Sequence, residues 1–356
     1  MKSLKRGSRL ITLMISVFII GMIVLIAKIQ MEASFYISNS GSRNLGYIYD
    51  RNGDIIFDDN AENGQYPDGY FKDLGNLIGD ASGQMTNTLV AKNLEKLSNY
   101  SFTSGITYKG GKAAIYSTLS HEANEAVYSA FGDKDGCAIA YNYKTGEILV
   151  CVSRPSVDPL KGYEDLAEGS LLCKAFYKTV PGSTQKIATL ISAVETMGMD
   201  ALMEKSFTCN GVYTNNTGLD IVCHNEYGHG TQNIREAFAN SCNPFFAQLV
   251  EDSGWSLSDI EDCYKKLGYS VNGSEETEIS IDGIISSKAS TTLEDKNEFN
   301  TQWSCIGQGT SLVSPCQLMM WQSAIANESG KSTMPYLIDH VTNVNGRTVE
   351  NASTNY

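Results

Sequence analysis

The 356-residue sequence has few prolines, a shortage of basic side chains and fewer cysteines than a disulfide scaffold needs. Only 7 prolines accompany 32 glycines, which excludes a proline-rich or collagen-like chain. The 9 cysteines are sparse for this length, and an odd number of them cannot all pair. Lysine and arginine total 27 against 40 acidic residues. The resulting net charge of −13 disfavours nucleic-acid binding, because phosphates repel such a chain.

A long apolar run occupies residues 10–27 and is interrupted only by three small residues. At about 1.5 Å per residue it spans roughly 27 Å, close to the thickness of a bilayer core. Four basic residues precede it: Lys2, Lys5, Arg6 and Arg9. A cleaved signal peptide is the alternative, but residues 27–31 offer no small-x-small cleavage site. We therefore predict that residues 1–30 form a cytoplasmic tail and a single membrane anchor, with the bulk of the chain extracytoplasmic.

Two β-hairpins are predicted beyond the anchor. Residues 46–57 place an Asn-Gly turn pair between alternating apolar positions. Residues 137–152 predict a second hairpin whose turn is Lys144-Thr145-Gly146. Its strands are mostly apolar, so we expect them to lie centrally in a sheet that is covered on both faces.

The remaining pattern is mainly helical. A helix is predicted over residues 121–131, and residues 164–330 are predicted to be mostly helices and loops, with a polar surface excursion at residues 270–299. The length allows about two domains, and a hydrophobic content of 42% can form a sizeable core. We predict a small extracytoplasmic module over residues 31–132 and a larger domain over residues 133–356.

Ser183 and Lys186 are the first candidate for chemistry. Three residues apart on a helix, they lie on one face within hydrogen-bond reach. A lysine takes the proton of a serine only if burial lowers its pKa toward neutrality. The apolar spacing of Ile187, Leu190 and Ile191 predicts a buried helix that supplies this burial. Ser-x-x-Lys alone is common, however, and the alternative is a helix N-terminus with a serine cap.

Ser241 and Asn243 are the second candidate. Ser-x-Asn on a loop brings a hydroxyl and an amide into a cleft, whereas the structural alternative is a helix-capping turn. A Gly-His-Gly segment lies between the two candidates, and a Gly-Gln-Gly segment follows them. Taken in this order, the motifs resemble the transpeptidase domain of class B penicillin-binding proteins of the short Gram-positive type. Residues 46–54 and 138–156 resemble segments of the same family, and the resemblance covers residues 10–340.

The resemblance implies an α+β fold of the penicillin-binding and serine β-lactamase type, with a helical block on an antiparallel sheet. It implies a peptidoglycan D,D-transpeptidase that cross-links stem peptides through an acyl-enzyme. Ser183 would be the nucleophile, with its N–H as one oxyanion donor, and Lys186 would be its general base. Ser241 would relay a proton to the leaving amine, and Asn243 would bind the substrate backbone.

The partners and cofactors follow from the same resemblance. It implies peptidoglycan stem peptides ending in D-Ala-D-Ala as substrate and β-lactams as inhibitors, because their strained amide mimics that dipeptide. A polytopic membrane glycosyltransferase is the implied protein partner. The family needs no metal or cofactor, so we expect none.

The third family motif, Lys-[Ser/Thr]-Gly, is expected on a strand after the Gly-Gln-Gly segment. The sequence reaches Tyr356 without it, and Lys144-Thr145-Gly146 has the letters but lies upstream, in a predicted turn. Losing one oxyanion donor alone lowers the rate by about 10²–10³. We therefore expect that the chain lacks the C-terminal strands and has little transpeptidase activity as given.

Two other functions remain open. One is a catalytically inactive, membrane-anchored scaffold that binds cell-wall enzymes or β-lactams without turnover. The other is a β-lactam sensor or a serine β-lactamase with the same motifs.

The cysteines and histidines also leave alternatives. Cys209 and Cys223 form either an extracytoplasmic disulfide or two free thiols. His224 and His229 lie near Cys223 and suggest zinc, but the irregular spacing argues against it. Cys242, inside Ser-x-Asn, is interpreted as buried packing.

Overall fold

A computed structural model describes residues 2–31, 45–58, 72–80, 82–98, 100–101, 105–106, 111–157, 163–275 and 278–352. The helices in these ranges are α1 (Lys2–Met31), α2 (Gly75–Ile78), α3 (Leu89–Lys92), α4 (Leu94–Ser98), α5 (His121–Ala130), α6 (Lys186–Met197), α7 (Met199–Glu204), α8 (Ile234–Ala239), α9 (Asn243–Glu251), α10 (Leu257–Lys266), α11 (Phe299–Ile306) and α12 (Pro315–Ala326). Two short 3₁₀ helices are Lys174–Phe176 and Gly182–Gln185.

The strands in the same ranges are β1 (Tyr47–Tyr49), β2 (Ile55–Asp58), β3 (Tyr100–Ser101), β4 (Gly105–Ile106), β5 (Ala114–Ser117), β6 (Gly136–Tyr141), β7 (Ile148–Arg154), β8 (Ser206–Cys209), β9 (Val212–Thr214), β10 (Asp220–Val222), β11 (Gly230–Asn233), β12 (Tyr269–Val271), β13 (Glu278–Ile281), β14 (Ile284–Ser287), β15 (Ala289–Thr291), β16 (Leu312–Val313), β17 (Ile338–Thr342) and β18 (Thr348–Asn351).

The N-terminal helix α1 contains the predicted anchor. Its segment Ile11–Ile29 is long and apolar enough to cross a membrane, and none of it is buried inside the protein. An apolar helix that no other part of a chain covers is stable in lipid, where all its backbone groups are bonded internally. The structure thus fits the prediction of a membrane-spanning segment.

The largest sheet among the described residues has five strands in the order β18-β17-β5-β1-β2. The predicted first hairpin is confirmed, since β1 and β2 pair antiparallel. Ile48 lies opposite Ile115, and Ile115 lies opposite Val341, so these buried side chains share one apolar face. The sheet combines strands from both predicted extracytoplasmic segments, whose division at residues 132 and 133 stays a prediction.

The second hairpin forms as predicted, but its surroundings differ from the expectation. β6 and β7 pair antiparallel around the predicted turn. Among the described strands they form a two-stranded sheet of their own rather than the centre of a larger one. β7 is mostly buried, whereas β6 is only half-buried. The strands are apolar because helices α5 and α12 pack against them, and not because they lie at the centre of a sheet.

The expectation of a polar surface excursion at residues 270–299 is wrong. This segment contributes strands β12 to β15, and Ile279, Ile281 and Ile284 lie in the main hydrophobic core. Asp282 and Gly283 form the turn between β13 and β14, and both have positive φ. An Asp-Gly pair between alternating isoleucines is a hairpin signal that the low overall hydrophobicity of the segment obscured.

The helical block encloses a second core. α6 contacts α10 and α11, and α9 contacts α11. The apolar residues Ile187, Leu190 and Ile191 of α6 are only half-buried, and the fully buried face is the small and polar one around Thr189 and Ala193. Small side chains let the neighbouring helices approach closely, so this face packs inward. As a result the N-termini of α6 and α9 meet, and the predicted site lies where they meet.

Candidate active site

Ser183 and Lys186 lie on two helical turns that join without a break. Gly182–Gln185 is a 3₁₀ helix, and α6 begins at Lys186. In a 3₁₀ helix, side chains three residues apart eclipse one another. The Oγ of Ser183 is accordingly 3.0 Å from the Nζ of Lys186. Ser183 is exposed, so a ligand has access to the hydroxyl.

A buried network of hydroxyl and amide groups holds the turn that contains Ser183 in place. The Nε2 of Gln185 donates to the hydroxyl of Tyr264 at 3.1 Å. The hydroxyl of Tyr269 donates to the Oε1 of Gln185. Thr189, one turn further along α6, is hydrogen-bonded to Tyr264 at 2.8 Å. Because these polar groups are buried, each depends on its partners, and the network fixes the orientation of the turn.

The first glycine of the Gly-Gln-Gly segment closes on the same turn. The N–H of Gly182 donates to the carbonyl oxygen of Gly307 at 2.9 Å. Gly307 has a φ of 107°, and a Cβ on it would lie 1.7 Å from the carbonyl oxygen of Gly182. Only glycine fits at such a distance and backbone conformation. The segment after α11 is therefore part of the support of the Ser183 turn.

Ser241 and Asn243 reach the same amine from a tight loop. Ser241 has a φ of 51°, in the left-handed region, and the next N–H, of Cys242, donates to the carbonyl oxygen of Ala237 at 2.9 Å. Asn243 is the first residue of α9. Its Nδ2 donates to the carbonyl oxygen of Val222 at 3.0 Å, which leaves its Oδ1 facing Lys186.

The Nζ of Lys186 has four oxygen neighbours. The hydroxyl oxygens of Ser183 and Ser241 both lie at 3.0 Å. The carbonyl oxygen of Ser241 lies at 2.8 Å, and the Oδ1 of Asn243 at 2.7 Å. An ammonium has three protons, whereas a neutral amine donates two and offers a lone pair. One amine thus connects both predicted hydroxyls with the predicted amide, and in its neutral form it can accept a proton from either hydroxyl.

The environment of Lys186 increases the fraction of this neutral form. The side chain is 1% exposed, and burial lowers its pKa from 10.5 to about 8. The ring of Phe246 contributes to the apolar surroundings, with its centroid 5.8 Å from Nζ. About a tenth of a group with this pKa is unprotonated at pH 7. A lysine with these properties has the chemistry of a general base.

Lys144-Thr145-Gly146 forms the turn between β6 and β7, as predicted. The N–H of Lys144 donates to the Oδ1 of Asn142 at 3.0 Å, and the hydroxyl of Thr145 donates to Glu147 at 2.9 Å. Gly146 has a φ of 90°, a turn conformation that glycine adopts without strain. These residues therefore serve the turn.

Three cysteines and a histidine come together beside the Ser-x-Asn loop. All nine cysteines are free thiols, so of the two alternatives for Cys209 and Cys223 the structure shows the unbonded one. Their sulfurs, the sulfur of Cys242 and a ring nitrogen of His229 all lie within 4.8 Å of one another. Cys242 is completely buried, as the sequence predicts.

Solved structures of known proteins share the fold of this chain. Penicillin-binding protein A of Mycobacterium tuberculosis superimposes with a TM-score of 0.71 at 18% identity, covering 87% of this chain and 76% of that one. The D,D-transpeptidase domain of a peptidoglycan glycosyltransferase from Eggerthella lenta gives a TM-score of 0.70 at 20% identity, covering 88% and 76%. The fold is that of penicillin-binding protein transpeptidase domains, and the α+β prediction is confirmed.

The sequence comparison establishes the family. The profile of the penicillin-binding protein transpeptidase domain matches residues 136–355, and the chain belongs to this family. It is 32% identical to stage V sporulation protein D of Bacillus subtilis over 213 residues, which are 58% of this chain and 31% of that protein. It is 27% identical to peptidoglycan D,D-transpeptidase PbpA of Mycolicibacterium smegmatis over 259 residues, 67% and 50% of the two chains. The matches span about a third and a half of these relatives.

Sequence reasoning did not find the residues that support the site. Gln185, Tyr264 and Tyr269 carry no motif, and their contacts join segments that are distant in the chain. Sequence reasoning considered Cys209 with Cys223 as a disulfide and His229 with Cys223 as a zinc pair, but it interpreted Cys242 as buried packing, so only the fold shows that all four converge.

Proposed function

We propose that this protein is a serine-type peptidoglycan D,D-transpeptidase that is anchored to the cell membrane by α1. The observation that carries the proposal is the Nζ of Lys186, shared at 2.7–3.0 Å by Ser183, Ser241 and Asn243. The similarity to the peptidoglycan D,D-transpeptidase of Mycolicibacterium smegmatis supports the same reaction.

The proposed reaction begins with neutral Lys186, which accepts the hydroxyl proton of Ser183. The Oγ of Ser183 bonds to the carbonyl carbon of the penultimate D-alanine, and the amide bond to the terminal D-alanine breaks. Ser241 passes its proton to the leaving amine and takes the proton held by Lys186, which becomes neutral again. An amine of a second stem peptide then forms an amide with the acyl group, and the proton that this amine loses returns to Ser183 as the ester bond breaks.

Two further groups assist this step. The Oδ1 of Asn243 accepts a hydrogen bond from Lys186, and its Nδ2 donates one of its two protons to Val222, so the second proton of Nδ2 is the proposed donor to the substrate backbone. Ser183 lies in the first turn of its helix, where N–H groups have no partner within the helix. The N–H of Ser183 is therefore the proposed donor to the oxyanion.

β-Lactams are the proposed inhibitors, because acylation of the same serine by the strained amide yields a stable ester. Penicillin-binding protein A of M. tuberculosis has been crystallised as acyl-enzyme complexes with penicillin G and with imipenem. The N-terminus is proposed to be cytoplasmic and the remainder extracytoplasmic, where the stem peptides are. A polytopic glycosyltransferase remains the predicted protein partner.

The test is covalent labelling of the full chain in detergent with penicillin G, followed by mass spectrometry. We expect one penicilloyl group, on the peptide that contains Ser183, and none in Ser183→Ala. Thr184→Ala is the matched control, since it removes the adjacent exposed hydroxyl, which is bonded to the carbonyl of Pro181. The absence of labelling, or labelling that persists in Ser183→Ala, would contradict the proposal and favour the inactive scaffold.

A further inference from the structure

The cluster of Cys209, Cys223, His229 and Cys242 has the composition of a metal site. Three sulfurs and one imidazole nitrogen lie within 4.8 Å of one another. The cysteines are 0–4% exposed, and His229 is half-buried at the edge of the cluster. Soft sulfur and imidazole ligands in a set of four are typical of structural zinc sites.

The distances fit a tetrahedral ion. With Zn–S bonds of about 2.3 Å and Zn–N bonds of about 2.1 Å, tetrahedral angles place sulfurs about 3.8 Å apart and sulfur and nitrogen about 3.6 Å apart. The Sγ of Cys223 lies 3.5 Å from the Nδ1 of His229. No two of the four ligand atoms are more than 4.8 Å apart, which exceeds the tetrahedral value by about 1 Å at most.

The backbone holds the ligands in place independently of any ion. The N–H of His229 donates to the carbonyl oxygen of Cys209 at 3.0 Å, and the N–H of Cys223 donates to Gly211 at 2.8 Å. A Cβ on Gly228 would lie 2.2 Å from the carbonyl oxygen of Cys209, so a glycine is required before His229. The first glycine of the Gly-His-Gly segment thus lets His229 approach the cysteines.

A buried hydrogen-bond donor at the cluster also points to a thiolate. Gln232 lies on β11, and its Oε1 accepts a hydrogen bond from Asn240 at 2.8 Å. Its Nε2 is buried with no oxygen or nitrogen partner among the described residues, and it lies beside the thiol of Cys242. A buried N–H without a partner is costly, and a metal-bound thiolate is an acceptor that would satisfy it.

We propose that Cys209, Cys223, His229 and Cys242 bind one zinc ion, which holds the Ser-x-Asn loop in place. Binding forms three Zn–S bonds and one Zn–N bond, and the three thiols release their protons to solvent. Because Cys242 stands between Ser241 and Asn243, the ion ties both residues to the ends of β8 and β10. The site is independent of the proposed transpeptidase reaction, and it reverses the expectation, drawn from the sequence, that no metal binds.

The first test is the metal content of the full chain, purified in detergent without chelators or reductants. We expect about one zinc per chain after dialysis against a weak chelator. Protein stripped with a strong chelator and loaded with cobalt(II) is expected to show the sulfur-to-cobalt charge-transfer and visible bands of a tetrahedral thiolate site. Absence of zinc together with absence of these bands would overturn the proposal. A disulfide between any two of Cys209, Cys223 and Cys242 in the protein as first purified would also overturn it.

Paired variants identify the ligands. His224 and His229 are adjacent, with ring centroids 5.2 Å apart, but only His229 belongs to the cluster. We expect His229→Gln to lower zinc affinity about tenfold or more and His224→Gln to retain it. Cys242→Ser is expected to lose the ion, whereas Cys263→Ser, at another buried cysteine, retains it.

His229→Cys distinguishes loss of a zinc ligand from misfolding, because a four-cysteine site also binds zinc. This variant should contain about one zinc per chain. Retention of zinc by both His229→Gln and Cys242→Ser, or equal loss in each control variant, would refute the assignment. None of these measurements requires β-lactam labelling, so they remain decisive if the proposed reaction is wrong.

Discussion

The rate at which a β-lactam acylates Ser183 is expected to follow the deprotonation of Lys186. Only the neutral amine accepts the serine proton, and burial lowers the pKa of this lysine to about 8. The neutral fraction of a lysine rises with pH and approaches one above its pKa. With a pKa of about 8, acylation should therefore accelerate up to about pH 8 and level off above it. Below that pH the protonated amine donates to the surrounding oxygens and cannot act as a base.

The magnitude follows from the pKa. The neutral fraction of a group with a pKa of about 8 is roughly 1% at pH 6, 9% at pH 7 and 50% at pH 8. Acylation should therefore rise about fiftyfold from pH 6 to pH 8 and at most twofold above it. A lysine in water, with a pKa of about 10.4, would be neutral to only about 0.04% at pH 7. Burial thus gives the site about two hundred times more base at neutral pH.

The assay is the time course of penicilloyl attachment to the full chain between pH 6 and 9, measured by mass spectrometry. The rates at different pH values are compared within one protein, so the shape of the pH profile does not depend on the absolute acylation rate. Lys186→Arg keeps the positive charge but cannot lose a proton, and it should lower the rate by about 10²–10⁴ at every pH. Lys266→Arg is the matched control, because Lys266 is exposed and pairs with Glu195 on the surface.

Two results would refute this reasoning. One is a rate that stays constant from pH 6 to pH 9 in the parent chain. The other is a Lys186→Arg variant that is acylated within about tenfold of the parent, since a guanidinium cannot serve as the base.

Three further predictions concern the scaffold. Gly307→Ala should destabilise the protein by about 3 kcal/mol or more, because the new Cβ would meet a backbone carbonyl. Gly330→Ala, also at positive φ but in open space, should destabilise it by only about 1–2 kcal/mol. Chemical denaturation of both variants measures the difference. Tyr269→Phe should cost about 1–3 kcal/mol in the same assay, since it leaves a buried amide oxygen without its donor, and an unchanged stability would contradict the proposed support of the turn. Two lysines replacing Ile19 and Ile20 should oppose insertion of α1 by roughly 5–7 kcal/mol and release the chain from membranes in alkaline extraction; full retention would argue against a spanning helix.

Much of the site could be predicted from the sequence because its chemistry is local. Ser183 and Lys186 are three residues apart, so any helical turn brings them together. Ser241 and Asn243 flank one residue on one loop, and the order of the motifs links the two pairs. Once the fold brings the two segments together, the Nζ of Lys186 can contact both Ser241 and Asn243.

The surroundings of the site could not be predicted in the same way. The apolar spacing of α6 predicted burial of Ile187 and Leu190, yet the structure buries Lys186 and Thr189 on the face that meets neighbouring helices. Amphipathic periodicity locates a helix but does not show which face is covered once polar residues have partners. The hydroxyl of Tyr264 is the partner here, and it comes from a distant helix.

The sequence by itself determined the apolar N-terminal helix, the two hairpin turns and the Ser-x-x-Lys and Ser-x-Asn pairs, because each depends on residues that are neighbours in the chain. Only the tertiary structure decided which distant segments close the site. Gly307 fits against Gly182 because two backbones touch there, a contact that no local pattern encodes. The thiols of Cys209 and Cys242 converge for the same reason, because both belong to one core built from segments that are distant in the sequence. Close packing in that core fixes the position of each segment.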